Sequence, residues 1–186
     1  MTTRAANTGL YDPTLEKSNC GVGFITRKDG TQTHDILAKA HAALCEVPHR
    51  GGMNAEGVGD GAGVSVDLSV RFFRKLTGNA ELEAGRFGVG NFFLPNDTDA
   101  HADAEEVISR GLATHGLDVL QVRDVPVDNS AIRPAGIALQ LPIRQWIFAA
   151  PDACTDPLEF DKRIHEALLD IEAVAYTDPR LTGLYP

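Results

Sequence analysis

Cys20 opens the apolar segment CGVGF and is the residue of this chain best suited to nucleophilic chemistry. The residue alone leaves three interpretations open. It can be a small buried hydrophobic residue, a thiol activated by a histidine, or, after cleavage behind Asn19, an N-terminal residue whose own α-amine is the base. A free α-amine titrates near about 7.7 to 8.0, and covalent geometry fixes its position relative to the thiol. In the third case, residues 1–19 are a removable leader.

A glycine-rich loop, HRGGMNAEGVGDGAG, occupies residues 49–63 and offers two charged groups for a substrate. Arg50, beside His49, could hold a carboxylate through two parallel hydrogen bonds, or it could be an ordinary solvated arginine. Asp60 could bind an ammonium group among glycines that leave the backbone amides open to a ligand, or it could lie in a plain tight turn. The match of residues 57–62 to a dinucleotide-binding pattern is nominal, since no strand is predicted before it and no helix within it.

Length and composition exclude several classes of protein. The 186 residues suffice for one domain, and the net charge of -9, with 17 dispersed basic residues, argues against nucleic acid or an anionic membrane as a partner. Three widely spaced cysteines and six scattered histidines form neither a disulfide framework nor a metal-binding pattern. No apolar run approaches the roughly 18 residues of a membrane span, and the N-terminus lacks the apolar centre of a secretory signal. We therefore predict a cytoplasmic protein without a metal site.

Hydrophobic periodicity predicts the elements that must position these residues. Period-two patterns indicate strands at 20–26, 64–68, 86–94, 117–122, 135–141 and 143–149. Helical patterns cover 33–47, 69–76 and 99–115, and a further helix follows Asp156, which can cap it with Pro157 at its first position and Glu159 completing a capping box. Strands and helices do not alternate strictly. The order predicts an α+β domain with mostly antiparallel pairing.

The motifs together resemble a known family. The ordered set GLYDP, EKSNCGVGF, HRGG, GDGAG, VGNFFLP, VRDVPVD and LPIRQWIF is similar to the amino-terminal glutamine amidotransferase domain of the glutamate synthase large subunit. That domain is a class II amidotransferase of the N-terminal nucleophile hydrolase superfamily, and the resemblance covers most of residues 9–175. It implies a four-layer α/β/β/α sandwich with antiparallel sheets, in which residues 1–19 are a propeptide and residues 20–186 are part of the domain.

The resemblance also implies roles for particular residues. Cys20 would attack the side-chain amide of glutamine, giving a glutamyl thioester and ammonia, and water would then release glutamate. Arg50, with His49 beside it, corresponds to the arginine that holds the substrate α-carboxylate, and Asp60 and Gly61 correspond to the neighbouring binding loop. Ammonia would pass to a synthase domain or subunit, where FMN and an iron–sulfur cluster support its addition to 2-oxoglutarate. This chain itself would hold no cofactor.

Four departures from the family pattern qualify these expectations. The arginine loop reads HRGG where the family has HRGA, and Gln121 stands where the family has tryptophan before RDVP. The sequence contains no Asn-Gly pair, the motif that forms the oxyanion hole later in the family domain. It also has no counterpart of the later acidic residue that binds the substrate amine in the family. We therefore expect residues 20–186 to be about the first half of the domain and to need the remaining half. An absent oxyanion donor costs on the order of a hundredfold or more in rate.

Two alternatives to the glutamate synthase assignment follow from the same residues. The amidotransferase chemistry could serve a different ammonia acceptor in another synthase. The chain could also be a regulatory or assembly subunit in which the loop binds but Cys20 is never exposed by cleavage.

Overall fold

The computed structural model describes residues 22–46, 54, 56–59 and 61–186. The chain divides into two units, Met1–Val66 and Asp67–Pro186. In its described part, the first unit contains one helix. The second unit contains an antiparallel sheet and the remaining helices, which together form a mixed α+β arrangement.

The helices and strands have the following bounds. The first unit contains α1 (His34–Cys45). The second unit contains the helices α2 (Val70–Thr77), α3 (Thr98–Thr114), α4 (Pro134–Ile137) and α5 (Pro157–Thr177), with a 3₁₀ turn at Pro179–Leu181. Its strands are β1 (Phe87–Phe93), β2 (Asp118–Asp124) and β3 (Ile143–Ala149).

Short polar side chains begin the longer helices of the second unit. The carboxylate of Asp97 accepts hydrogen bonds from the backbone amides of Asp99 and Ala100, at 3.1 and 3.0 Å. Asp156 does the same for Leu158 at 3.0 Å. These contacts satisfy amides that have no partner inside the helix. The start of each helix is therefore encoded locally.

The sheet has the strand order β1-β3-β2, and both pairings are antiparallel. Trp146 of the central strand lies opposite Gly90 on one side and Val122 on the other. The register with β2 shifts between Val119 and Gln121, which marks a bulge. All-antiparallel pairing lets each strand present one face to the core and the other to a different environment.

One face of the sheet is buried beneath α3 and α5. The indole of Trp146 is 1% exposed, and the ring of Phe92 contacts it edge-on with centroids 5.2 Å apart. The main hydrophobic core continues into both helices. Its other buried members are Leu94, Ala104, Ile108, Leu112, Leu117, Phe148, Ala150, Cys154, Phe160, Ala167, Ile171, Ala175, Leu181 and Leu184.

The other face of the sheet is divided between apolar and polar contacts. Near one end, Phe73 of α2 packs on Phe87 with ring centroids 5.4 Å apart, in a second cluster that includes Leu82 and Ile147. Beside this cluster, three polar side chains form a row across all three strands. Arg123 Nε donates to Gln145 Oε1 at 2.8 Å, and Gln145 Nε2 donates to Asn91 Oδ1 at 2.8 Å. The row satisfies the buried amide of Gln145.

The structure confirms most of the predicted elements of the second unit. The strands at 86–94, 117–122 and 143–149 and the helices at 69–76, 99–115 and after Asp156 are all present, as is α1 in the first unit. The predicted capping box is only half formed. Asp156 caps α5, but the Glu159 carboxylate accepts a hydrogen bond from Arg163 Nε at 3.1 Å.

Three predicted strands are not found where the structure describes the chain. Residues 135–141 form α4 and a turn, because Pro134 suits a first helical position and Gly136 admits the methyl group of Ile132. The described parts of the segments 20–26 and 64–68 have no strand partner and are mostly exposed. A short alternating apolar run is compatible with several backbone states, and the available partners decide among them.

Gly111 sets how closely α3 and α5 approach. A Cβ atom at Gly111 would lie 2.5 Å from Cγ1 of Ile171. Glycine normally costs a helix about 1 kcal/mol relative to alanine, so its presence here reflects the need for space.

We predict that Gly111→Ala lowers the free energy of unfolding by about 1 to 3 kcal/mol, because overpacking outweighs the gain in helix propensity. Denaturant unfolding followed by the fluorescence of Trp146, the single tryptophan of the chain, measures the change. In an Ile171→Ala background the same substitution should cost less, since the clashing atoms are gone. An equal cost in both backgrounds would contradict the steric explanation.

Candidate functional site

The structure describes one of the five site residues predicted from the sequence. Cys20, His49, Arg50 and Asp60 lie outside the described residues, as does the predicted leader, residues 1–19. Gly61 is described and lies in an exposed segment. The roles of these residues therefore remain predictions.

The segment that follows Cys20 is exposed along its described length. Val22 and Phe24 are 98% and 91% exposed, and the backbone reaches a tight turn at Arg27–Gly30, where Gly30 N donates to Arg27 O at 3.1 Å. The Arg27 guanidinium binds both oxygens of Asp29, at 3.2 and 3.3 Å. Together with the backbone amide of Thr31, it holds the pKa of Asp29 below its ordinary value. The turn is therefore stabilised by its own side chains.

The helix α1 connects this turn to the glycine-rich loop. None of its residues is buried, although Ile36, Leu37, Ala40 and Leu44 share one face. Near its C-terminal end, Cys45 Sγ lies 3.9 Å from His41 Nδ1, and the thiol is exposed and free. The helix ends just before the segment that contains Arg50.

Asn54 organises the described part of the glycine-rich loop, and the sequence analysis did not single it out. Its Oδ1 accepts hydrogen bonds from the backbone amides of Glu56 and Val58, each at 3.0 Å. Its own backbone amide donates to Val58 O at 2.8 Å, and Gly57 N donates to Asn54 O at 3.0 Å. This arrangement is an Asx turn, for which an asparagine shortly before a glycine is the sequence signal. Asn54 thus closes a turn with Glu56, Gly57 and Val58.

Two glycines of the same loop adopt the left-handed backbone conformation. Gly57 has φ 76° and Gly61 has φ 75°. Around Gly61 there is open space for a Cβ atom, so the conformation, rather than a close neighbour, favours glycine there. The predicted binding residue Gly61 therefore fixes the direction of the chain on one side of Asp60.

A second polar cluster lies in the other unit, at the start of α3. A cavity of about 380 Å³ is lined by Asn96, Thr98, His101, Ala102, Glu105 and Arg144. Arg144 is ion-paired with Glu105 and lies 3.2 Å from the carboxylate of Asp124, and His101 Nε2 lies 3.3 Å from Glu105. The cationic side chain is thus balanced by two carboxylates, which gives the cluster a structural role between α3 and the sheet.

Neither a metal centre nor a membrane span is found in the part of the chain that the structure describes. Across residues 22–46, 54, 56–59 and 61–186, no three histidine, cysteine or acidic side chains come together as metal ligands. Over the same ranges, no helix combines the length and apolar character that crossing a membrane requires.

Comparison with known proteins identifies the family. The model of the class II glutamine amidotransferases matches residues 20–179, so that the match begins at Cys20 and covers most of the chain. The chain belongs to the class II glutamine amidotransferases.

The relatives with which it aligns include glutamate synthases. The chain is 34% identical over 164 residues to the NADH glutamate synthase of Schizosaccharomyces pombe and 35% identical over 159 residues to the large chain of the NADPH enzyme of Bacillus subtilis. These alignments cover 86% and 84% of this chain but only 8% and 10% of the relatives. A ferredoxin-dependent glutamate synthase of Arabidopsis thaliana is 34% identical over 182 residues, 95% of this chain and 11% of its own length. The chain therefore spans about a tenth of the length of these relatives.

We predict that Asn54→Ala loosens the loop, while Asn54→Asp, which keeps the accepting oxygen, does not. Loss of one hydrogen bond raises the equilibrium constant of local opening by about two- to tenfold. The amides of Glu56 and Val58 should therefore exchange faster by that factor in the alanine variant. Hydrogen exchange measured by NMR gives both rates. Asn79→Ala is the control, because Asn79 Oδ1 accepts from Glu81 N at 2.9 Å in the other unit. Equal acceleration by the alanine and aspartate variants would refute the assigned role.

Proposed function

We propose that this chain is the glutamine-hydrolysing, ammonia-releasing part of a glutamate synthase. The family match that begins at Cys20 is the observation that carries the proposal, because an N-terminal nucleophile must be the first residue of its working domain. The relatives named glutamate synthases support the destination of the ammonia. Residues 1–19 are then a propeptide and residues 20–186 are part of the amidotransferase domain.

The proposed chemistry uses one residue as nucleophile and base. The Sγ atom of Cys20 attacks the side-chain carbonyl carbon of glutamine, while the α-amine of Cys20 takes the thiol proton and gives it to the departing amide nitrogen. The C–N bond breaks, and ammonia leaves behind a glutamyl thioester. Water attacks the thioester, the C–S bond breaks, and glutamate is released with its proton balance restored at the same amine. The sum of these steps is glutamine plus water giving glutamate plus ammonia.

The substrate would be held at its amino-acid end by the glycine-rich loop. In this proposal the Arg50 guanidinium, with His49 beside it, binds the α-carboxylate of glutamine, and Asp60 and Gly61 form the neighbouring part of the binding loop. The Asx turn at Asn54 and the left-handed Gly61 support the proposal, because they give the described loop a defined backbone on either side of Asp60.

We propose that the whole assembly extends beyond these residues. We propose that the four-layer α/β/β/α sandwich is completed by the rest of the amidotransferase domain, which also supplies the oxyanion donor. The antiparallel sheet with its two covering helices is compatible with that architecture. A synthase domain or subunit, carrying FMN and an iron–sulfur cluster, would add the ammonia to 2-oxoglutarate. No residue of this chain is assigned to either group, and a cytoplasmic location remains a prediction.

Replacing the nucleophile tests the central step. We predict that Cys20→Ala lowers glutamine hydrolysis by about a thousandfold or more and leaves the ammonia-dependent synthesis of glutamate intact in the complete enzyme. Cys45→Ala is the matched control, because Cys45 is an exposed thiol on α1 and has no assigned role. Intact mass should show active protein that begins at Cys20. An active chain that still begins at Met1, or glutamine use that survives in Cys20→Ala, would exclude the mechanism.

Replacing the carboxylate-binding arginine tests the substrate orientation. We predict that Arg50→Ala raises KM for glutamine by about 10- to 100-fold with a smaller effect on kcat, because charge-assisted hydrogen bonds to the α-carboxylate are lost. Arg50→Lys should fall in between, since an ammonium group cannot bind both oxygens through a planar fork. Steady-state kinetics separates KM from kcat. Arg27→Ala serves as the control in the same unit, and an unchanged KM in Arg50→Ala would disprove the assignment.

A further inference from the structure

The end of the chain lies against the outer edge of β1. Phe93 N donates to Tyr185 O at 2.8 Å, and Tyr185 N donates to Phe93 O at 3.0 Å. The two residues thus form an antiparallel pair that exchanges both backbone hydrogen bonds. Since β3 occupies the other side of β1, Tyr185 has the position of the first residue of a fourth strand.

The outer edge of β1 offers further backbone groups in the same row. Arg86 O and Leu94 N bond toward the β3 side, to Ala150 N and Pro142 O, each at 2.9 Å. Backbone direction alternates along a strand, so the even-numbered residues of β1 face β3 and the odd-numbered ones face outward. Among the described residues, none bonds to the outward backbone groups of Phe87, Val89 and Asn91. Within residues 22–46, 54, 56–59 and 61–186, three residues of β1 therefore have no partner on this edge beyond Phe93.

The segment that leads to Tyr185 is held in place by the core. Leu181 and Leu184 are each 2% exposed, and Gly183 with φ 103° makes the turn between them possible. Before this turn, Arg180 binds the carboxylate of Asp178 and, at 3.2 Å, that of Asp103 on α3. Hydrogen bonds from the Arg180 side chain and backbone keep the pKa of Asp178 below its ordinary value. The direction in which the backbone passes Phe93 is thus fixed.

Pro186 is compatible with this edge position. Because Tyr185 directs both its backbone groups to β1, the next residue directs its own away from β1. The missing N–H of Pro186 therefore removes no hydrogen bond to β1. It would instead block a further strand from pairing at that point, which is the usual place of proline in an edge strand.

The connections of the sheet point the same way. β1 and β2 are parallel, are joined through α3, and have β3 between them. A strand that continues from Tyr185 would run antiparallel to β1 and therefore parallel to β3. The connection from β3 to this strand would pass through α5, and β1 would lie between the two strands. The two crossovers would then interleave as in the split βαβ motif, a recurrent arrangement of the order βαββαβ.

We propose that the outer edge of β1 binds a fourth antiparallel strand, an extended segment of polypeptide joined directly to Pro186. The sheet order becomes fourth strand-β1-β3-β2. In the register set by Phe93 and Tyr185, the first, third and fifth residues of that segment lie opposite Asn91, Val89 and Phe87 and direct their N–H groups to β1. This surface is independent of the proposed glutaminase chemistry, and its test does not involve glutamine.

The test extends the full chain by five strand-forming residues, Thr-Val-Thr-Val-Thr, after Pro186. We expect the amides of Val89 and Asn91 to exchange more slowly by about tenfold or more than in the unextended chain, because their groups gain partners. The amides of Gly88, Gly90 and Phe92, which face β3, serve as internal standards and should change less. Hydrogen exchange by NMR resolves the five positions, and Trp146 fluorescence confirms that each chain is folded.

Two proline variants of the extension are matched controls for register. Proline at its third residue removes the N–H that donates to Val89 O and places its ring against β1, so the pair opposite Val89 should not form and the protection of the Val89 amide should fall. Proline at its fourth residue removes an N–H directed away from β1, as at Pro186, and should retain that protection. Equal behaviour of the two variants would overturn the proposed register.

Two further outcomes would overturn the proposal itself. One is that the extension leaves the hydrogen exchange rates of the Val89 and Asn91 amides unchanged, or that the extended chain unfolds at a lower denaturant concentration than the unextended chain. The other is protection of these amides in the unextended chain that rises with concentration together with a dimeric mass by light scattering. That result would assign the edge to a second copy of this chain.

Discussion

The contact between α3, α5 and the underlying sheet face supports the rest of the second unit. Gly111 lets the two helices approach, and Ile171 fills the space that a side chain at Gly111 would take. Beneath them, Trp146 and Phe92 form the centre of the main core. The same core buries Leu181 and Leu184, and through these leucines it determines where the chain passes the edge of β1. The packing of the two helices therefore stabilises the sheet and also positions the end of the chain beside the outer edge of β1.

The two faces of the sheet have different chemical character because only one is fully covered. The face beneath α3 and α5 is mainly apolar, as expected for burial under two helices, and it ends at Arg144, which is ion-paired with Glu105 of α3. The opposite face combines a small aromatic cluster with the polar row Arg123–Gln145–Asn91, whose members satisfy one another across three strands. The side-chain amide of Gln145 can be buried on this partly packed face because its hydrogen bonds to Arg123 and Asn91 satisfy it.

The first unit is organised differently, around local hydrogen bonds. None of its described residues is buried, and its turns at Arg27–Gly30 and Asn54–Val58 are closed by the side chains of Asp29 and Asn54. Exposed loops of this kind can present backbone amides and charged groups to a small substrate. In the proposed function, the first unit supplies the nucleophile and the loop that binds the amino-acid end of glutamine, and the second unit supplies a stable sheet.

The sequence by itself determined the features that depend on neighbouring residues. The cap at Asp156, the helices at 69–76, 99–115 and after Asp156, and the motifs around Cys20 and Arg50 that indicated the family could all be read without a structure. It did not reveal the Asx turn at Asn54, the helix at Pro134–Ile137, or the lack of strand partners at residues 22–26 and 64–68. Only the tertiary structure decided the strand order, the role of Gly111 and the pairing of Tyr185 with Phe93. Capping and periodicity are local, whereas strand pairing and close packing depend on which distant residues meet.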